Sequence, residues 1–170
     1  MFKEYFIQAV RYWKEKSLYH AFIRLPVRGK SFQDKTFAQN RGTKKFFLRK
    51  SERTVEWEGQ VNAFLLTERI ATNELKKLGL MFSEKEHCLV AIWTFSYSNN
   101  ITKEGLINSK VPDLENSKKP IQDILINEVV GVDDKSVLCA IERRTTGNDS
   151  ISLHLFLIDR KSIDDMNIVI

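Results

Sequence analysis

The sequence predicts an α+β domain, with a mixed or antiparallel sheet and helices packed on it. Three observations lead there. Residues 88–98, CLVAIWTFSYS, set Leu89, Ala91, Trp93, Phe95 and Tyr97 against a less apolar alternate set, the period-two signature of a strand. Stretches near 2–16, 51–78 and 116–128 repeat their apolar residues at helical spacing instead. SVLCAIERRT and SISLHLFLIDR, near the C-terminus, are rich in β-formers on either side of TGND. The order α-β-(β)-α-β-α-β-β belongs to the α+β class.

Taken in order, residues 2–16 are expected to form an amphipathic helix. Phe2, Tyr5, Phe6, Ala9, Val10 and Trp13 share one face, which suits core packing or an oligomer contact. LYHAFIRL, 18–25, reads as a strand that Pro26 ends. A basic loop follows, and KKFFLRK, 44–50, reads as a short second strand. From Ser51 to Leu78 the spacing of Val55, Val61, Phe64, Leu65, Ile70, Leu75 and Leu78 predicts one helix. Ser51 is its N-cap and Gly79 its C-cap. After the strand at 88–98 and a polar loop, a helix is expected over 116–128. Ile121, Ile124, Leu125 and Val129 would face the core. Pro120 sets its start, because proline is best tolerated in a first turn, so the helix should begin no earlier than about Asn116. The last two strands are expected to pair as an antiparallel hairpin across TGND. The tail KSIDDMNIVI carries no assignment.

Composition narrows the function. A chain of 170 residues, 42% of them hydrophobic, can bury the core of one domain. Cys88 and Cys139 are too few for a disulfide framework and show no metal spacing with His20, His87 or His154, so they read as small buried hydrophobes. No apolar run nears the ~18 residues that span a membrane, and the N-terminus lacks a signal core. A reduced, cytoplasmic protein without a membrane partner is expected. Gly-rich phosphate loops and Ser-His-Asp or Cys-His spacings are missing from the sequence.

Charge is uneven. Between Arg28 and Arg53 lie nine Lys or Arg against Asp34 and Glu52, with Phe32, Phe37, Phe46 and Phe47 interleaved. Such a stretch suits a nucleic-acid backbone, with Lys30, Lys35, Arg41, Lys44, Lys45, Arg49 and Lys50 as candidate phosphate contacts. A solvated basic loop has the same composition.

Carboxylates gather elsewhere. In VPDLENSKKPIQDIL, Asp113 and Glu115 are two apart ahead of a helix, so an extended backbone would project both to one side. Neighbouring carboxylates repel, and a divalent cation such as Mg²⁺ removes that cost. Asp133 and Asp134 follow the helix and would reach the first pair if the chain reverses. Lys119, near the same helix start, could hold a phosphate oxygen. On spacing alone, an ordinary helix cap at Asp113 and an ordinary turn at Asp133–Asp134 remain open.

The segment D-L-E-N-S-K-K-P-I-Q-D-I-L followed by D-D-K-S-V resembles the RusA family of Holliday-junction resolvases. That family's signature reads approximately D-x-D-N-x-x-K-P-x-x-D-x-L, then D-D-x-x-[VI]. Asp113, Asn116, Lys119, Pro120, Asp123, Leu125, Asp133, Asp134 and Val137 match. The resemblance implies a homodimeric endonuclease that cuts four-way DNA junctions with Mg²⁺ or Mn²⁺, often phage- or prophage-encoded. It implies Asp113, Glu115 and Asp134 as metal ligands, with Lys119 as the essential lysine. Asn116 and Lys119 join the basic residues as DNA contacts. Glu115 stands where the family has Asp, which opens a second reading: a catalytically weakened branched-DNA-binding protein of the same fold. Forks, flaps or RNA are further candidate substrates. Because family members start near the first strand, residues 1–17 read as a helical extension and 18–170 as the RusA-like domain.

Overall fold

β4, His87–Tyr97, holds the architecture together because it is apolar on both faces. Leu89, Trp93, Phe95 and Tyr97 lose essentially all their exposure on one side, and Val90 and Ile92 on the other. A strand of this kind belongs in the middle of a sheet with layers on both sides. The computed structural model describes residues 2–30, 35–39, 42–43 and 46–164, with side chains for 4–30, 42–43 and 51–163. It shows an α+β domain with a four-stranded mixed sheet.

In chain order the elements are α1 (Phe2–Lys16), β1 (Tyr19–Leu25), β2 (Lys35–Gln39), β3 (Phe46–Lys50), α2 (Glu52–Thr67) and α3 (Arg69–Met81). After β4 come α4 (Leu114–Gln122), a π-helical segment (Asp123–Val130), a 3₁₀ turn (Asp134–Ser136), β5 (Val137–Thr146), β6 (Ser150–Asp159) and α5 (Arg160–Asp164). β2 and β3 form a separate antiparallel pair, so residues 35–39 add a strand where a loop was expected.

The main sheet runs β1-β6-β4-β5. β6 is antiparallel to both β1 and β4, while β5 is parallel to β4. The expected β5–β6 hairpin is therefore not formed: β4 lies between the two strands. Local pattern favoured the hairpin, but the apolar strand claims the centre and β5 and β6 flank it. Gly147 crosses the end of β4, donating its N–H to the Tyr97 carbonyl at 3.3 Å.

α2, α3, α4 and the π segment cover one face, where Trp57, Val61, Leu65, Leu75, Leu78, Ile121 and Leu125 meet Trp93, Phe95 and Leu155. α1 covers the other. Its Trp13 is 5% exposed among Val90, Ile92, Phe156 and Ile158, with Phe6, Ala9 and Val10 packed alongside. The predicted stripe of α1 is thus core packing for Phe6, Ala9, Val10 and Trp13, while Tyr5 stays exposed. Cys88 is buried in this second cluster and Cys139 packs against it. Among the described residues no helix is long and apolar enough to cross a membrane.

The helix expected from Ser51 to Leu78 breaks at Glu68. One straight helix of that length would run about 40 Å; the break folds both halves onto one core. Ser51 is the N-cap as expected, accepting from the Thr54 N–H. The Thr72 hydroxyl donates to the Leu65 carbonyl at 2.9 Å, supplying a partner where the helix ends. Val55 and Ile70, two of the apolar positions behind the predicted helix, face solvent, and Trp57 takes a buried place with its indole N–H on the Arg28 carbonyl.

Gly79 is not a cap. It sits inside α3 because the π segment passes against it: an added Cβ would lie 1.9 Å from the Val130 carbonyl oxygen. We predict that Gly79→Ala costs about 3 kcal/mol through overpacking. Gly59→Ala in exposed α2, where a Cβ meets nothing, should gain ~0.5–1 kcal/mol from helix propensity. Urea titration of both variants checks this; a neutral Gly79→Ala would remove the close approach.

Candidate functional site

The site is built on α4, and its start follows from two local bonds. Asp113 is the N-cap, its carboxylate accepting the Asn116 backbone N–H at 2.8 Å and the Asn116 side-chain amide at 2.9 Å. The helix therefore begins at Leu114, two residues before the start that Pro120 suggested, and carries the proline inside. Proline removes an i→i−4 donor, and the chain passes directly into the wider π register at Asp123. π segments of this kind recur at functional sites.

The N-terminus of α4 is anchored to the sheet. Ser117 donates its hydroxyl to the Asp113 carbonyl at 2.7 Å, and the Tyr97 hydroxyl lies 2.7 Å from Ser117 Oγ. Burial pushes the Tyr97 phenol up from its ordinary value. From β5, Arg144 donates to the Pro112 carbonyl, and Glu142 pairs with Lys118 on α4. Asp113 and Glu115 stand exposed at this end of the helix.

At the other end of α4 the two halves of the sequence motif meet. Lys119 Nζ is 3.0 Å from Asp134 Oδ2 and 3.2 Å from Asp123 Oδ1. Gln122 Nε2 donates to the same Asp134 oxygen at 3.1 Å. The Lys119 hydrogen bond holds the Asp134 carboxyl below its ordinary range, and Asp134, then Asp123, raise the Lys119 ammonium. Asp133 lies beside Asp134 at the margin of this cluster. It caps the 3₁₀ turn, accepting the Lys135 N–H at 2.9 Å. Asp134 is thus the member of the pair that reaches α4.

The arrangement gathers Lys119, Gln122, Asp123 and Asp134 in one place, and Asp113 with Asn116 in another. Among the described residues no three His, Cys, Asp or Glu side chains form a group that could hold a metal ion. Asp113, Glu115 and Asp134 are therefore not gathered as one such group: Asn116 donates to both oxygens of Asp113, and Lys119 pairs with Asp134.

Of the basic candidates, Arg41, Lys44 and Lys45 lie outside the described residues. Lys35, Arg49 and Lys50 are placed by backbone register alone, Lys35 opposite Lys50 and Thr36 opposite Arg49. Lys30 follows Gly29, whose added Cβ would lie 2.3 Å from the Tyr97 hydroxyl oxygen. Arg28, on the same stretch, lies 5.7 Å from the Tyr97 ring centre and donates to Asn99 at 2.9 Å. Sequence reasoning gave no role to Gln122, Asp123, Glu142 or Arg144. The i,i+4 spacing of Lys119 and Asp123 was a readable signal; the strand residues offered none.

The chain matches no protein-family model and no curated protein.

The Lys119–Asp134 pair makes a pH-dependent contribution whose sign follows from the two shifts. Asp134, with a depressed pKa, contributes stability above the ordinary carboxylate range and loses it as pH falls through the folded value. Lys119, with a raised pKa, contributes below the ordinary lysine range and loses it as pH rises through the folded value. Both groups are partly exposed, so Lys119→Met should cost no more than ~1 kcal/mol at pH 7. The difference from the parent should vanish near pH 2. Denaturant melts across pH check this; a gap that persists in acid would mean Lys119 stabilises by packing.

Proposed function

We propose that this chain is a cytoplasmic, RusA-type DNA endonuclease acting on four-way junctions as a homodimer, with Mg²⁺ or Mn²⁺. The observation that carries the reading is the contact of Lys119 and Gln122 with Asp134. The two blocks of the motif resembling that family are fifteen residues apart at this pair, and the contact brings them together in space. In it, Asp113, Glu115 and Asp134 are the carboxylates offered to the ion, Lys119 the cation beside the scissile phosphate, and Asn116 a DNA contact. The basic stretch from Lys30 to Lys50 supplies the sequence-independent attraction that a carboxylate cluster alone would oppose.

A second reading has its own observation. Lys119 pairs with Asp134 while Asp113 caps α4 by accepting from Asn116, and the carboxylates are not gathered in one group. A branched-DNA-binding protein that does not cut would look the same, and Glu115 in place of Asp points the same way.

One assay separates them. A synthetic four-way junction is incubated with the protein, with and without Mg²⁺ or Mn²⁺, and binding is followed by fluorescence anisotropy. The endonuclease reading expects metal-dependent paired nicks. It expects Asp134→Asn to lose at least 100-fold in cleavage rate, about 2.7 kcal/mol, with junction affinity unchanged or tighter. Tight binding without nicks in either metal would establish the second reading in its place. No binding at all would remove both.

A further inference from the structure

His20 and His154 take no part in the candidate site. They sit on the sheet face that α1 packs against, next to Phe156. β1 sets His20 opposite Phe156 and Phe22 opposite His154, so the two histidines are diagonal neighbours across an antiparallel pair. We propose that they form a one-proton lock between β1 and β6, closed at neutral pH and opened by acid.

Three features make the contact a proton-sharing one. The first is its line. His20 Nε2 and His154 Nδ1 are 3.1 Å apart, the ring centres are 5.3 Å apart, and the planes differ by 10°. The distance between centres is nearly the nitrogen–nitrogen distance plus both ring radii, so the rings meet edge to edge in one plane. The facing nitrogens point at each other. One N–H fits on that line, donated by one ring to the other. A zinc-like ion does not, because two bonds of ~2.0–2.1 Å need about 4 Å between the nitrogens. With the proton on His20 Nε2, both rings keep the Nε2–H tautomer and His154 Nδ1 accepts.

The second is aromatic cover. The Phe156 ring centre lies 4.6 Å from that of His20 at an angle of 13°, and Phe22 lies 4.4 Å from His154 at 34°. Each histidine thus has a phenyl ring against it in place of water, which disfavours its charged form.

The third is charge. Lys14 on α1 acts on both rings, and Arg143 on β5 acts on His154. Arg24 stands two residues beyond Phe22 on β1, and from β4 the uncharged Ile92 lies opposite His154. Among the described residues, every charged group acting on the pair is a cation. Desolvation, then His20, Arg143 and Lys14, hold the His154 imidazole down at about 4, and desolvation, then Lys14, lower His20.

A further proton turns both facing nitrogens into donors, and the contact becomes a repulsion. In the main sheet β1 is bonded to β6 alone, and only Ser17 and Leu18 separate it from α1. Loss of the lock therefore frees the edge of the sheet before its centre. The stabilisation from His154 is fully present above the ordinary histidine value of 6.5 and is lost as pH falls through about 4, because the unfolded chain takes up the proton first.

Nitrogen-15 NMR of the parent at pH 7.5 should find His20 Nε2 protonated and His154 Nδ1 bare. Urea titrations between pH 7.5 and 4.5 should show the folding equilibrium falling about 70-fold relative to His154→Phe, the ratio set by folded and unfolded values of about 4 and 6.5. His20→Gln, whose Nε2–H still donates, should keep His154 titrating low. His20→Leu, which has no donor, should let it rise. Hydrogen exchange, corrected for the intrinsic effect of pH, should show β1 amides losing more protection than β4 amides over the same range.

A His154 Nδ1 that carries the proton, a His154 that titrates near the ordinary value, or one that titrates alike in His20→Gln and His20→Leu overturns the lock. Strands β1 and β4 losing protection together overturns its role at the edge. Should His154→Phe fail to fold, the NMR titrations of the parent and of the two His20 variants still decide.

Discussion

Tyr97 places a large side chain with a polar tip at the end of the most apolar strand, where it has no exposure. A buried hydroxyl without a partner costs roughly 1–3 kcal/mol, so its environment must supply one, and it does so through Ser117. Much of the functional surface follows from that requirement. Ser117 passes the bond to the Asp113 carbonyl, so the start of α4 is held to the sheet. Arg28 and Arg144 lie against the same ring at 5.7 and 5.8 Å, drawing the segment after β1 and the edge strand toward one point. Gly29 passes so close to the hydroxyl that a side chain there would collide with it. One tyrosine thus gathers three segments distant in sequence around the end of a single strand.

How much of this was legible depended on whether the deciding force was local. Ser51 as a cap and the inward faces of Ile121, Ile124 and Leu125 are set by neighbours within a turn or two, and the sequence displays them; β4 was legible as a strand, but its expected single apolar face became burial on both faces. Gly79 and Pro120 were misleading because both usually act as local punctuation. At Gly79 the cause is a carbonyl from another element, and at Pro120 the helix continues by changing register. The β5–β6 hairpin failed for a related reason. Turn residues report that the chain bends, but which strand fills the space beside it is decided by burial across the whole sheet.

The candidate site divides along the same line. Asp134 was expected to reach Asp113 and Glu115 if the chain reversed, and it reaches Lys119 and Gln122 instead; Asp133 as a turn cap was the ordinary alternative that the structure selects. Asp113 combines both expectations: it starts the helix as a cap, and it stands beside Glu115 at the exposed end. Arg144 and Glu142 escaped notice because they look like solvent-facing charges in a strand. Only the sheet order shows that β5 lies beneath α4, where an arginine meets a backbone carbonyl and a glutamate meets Lys118.

The position of β6 has a consequence for assembly. It is the last strand described, yet it lies second in the sheet and is the only described strand paired to β1. Until β6 emerges from the ribosome, β1 has no backbone partner and β4 exposes one of its two edges. The nascent chain therefore carries an apolar strand with an unpaired flank from the completion of β4 at Tyr97 until β6 begins at Ser150, the condition under which strands associate wrongly. Contacts joining residue 19 to residue 157 also make closure a long-range event, which slows folding relative to a helical protein of equal size. A chain arrested before Ser150 would keep its carboxylates and its lysine but lack the strand that joins β1 to the rest of the sheet.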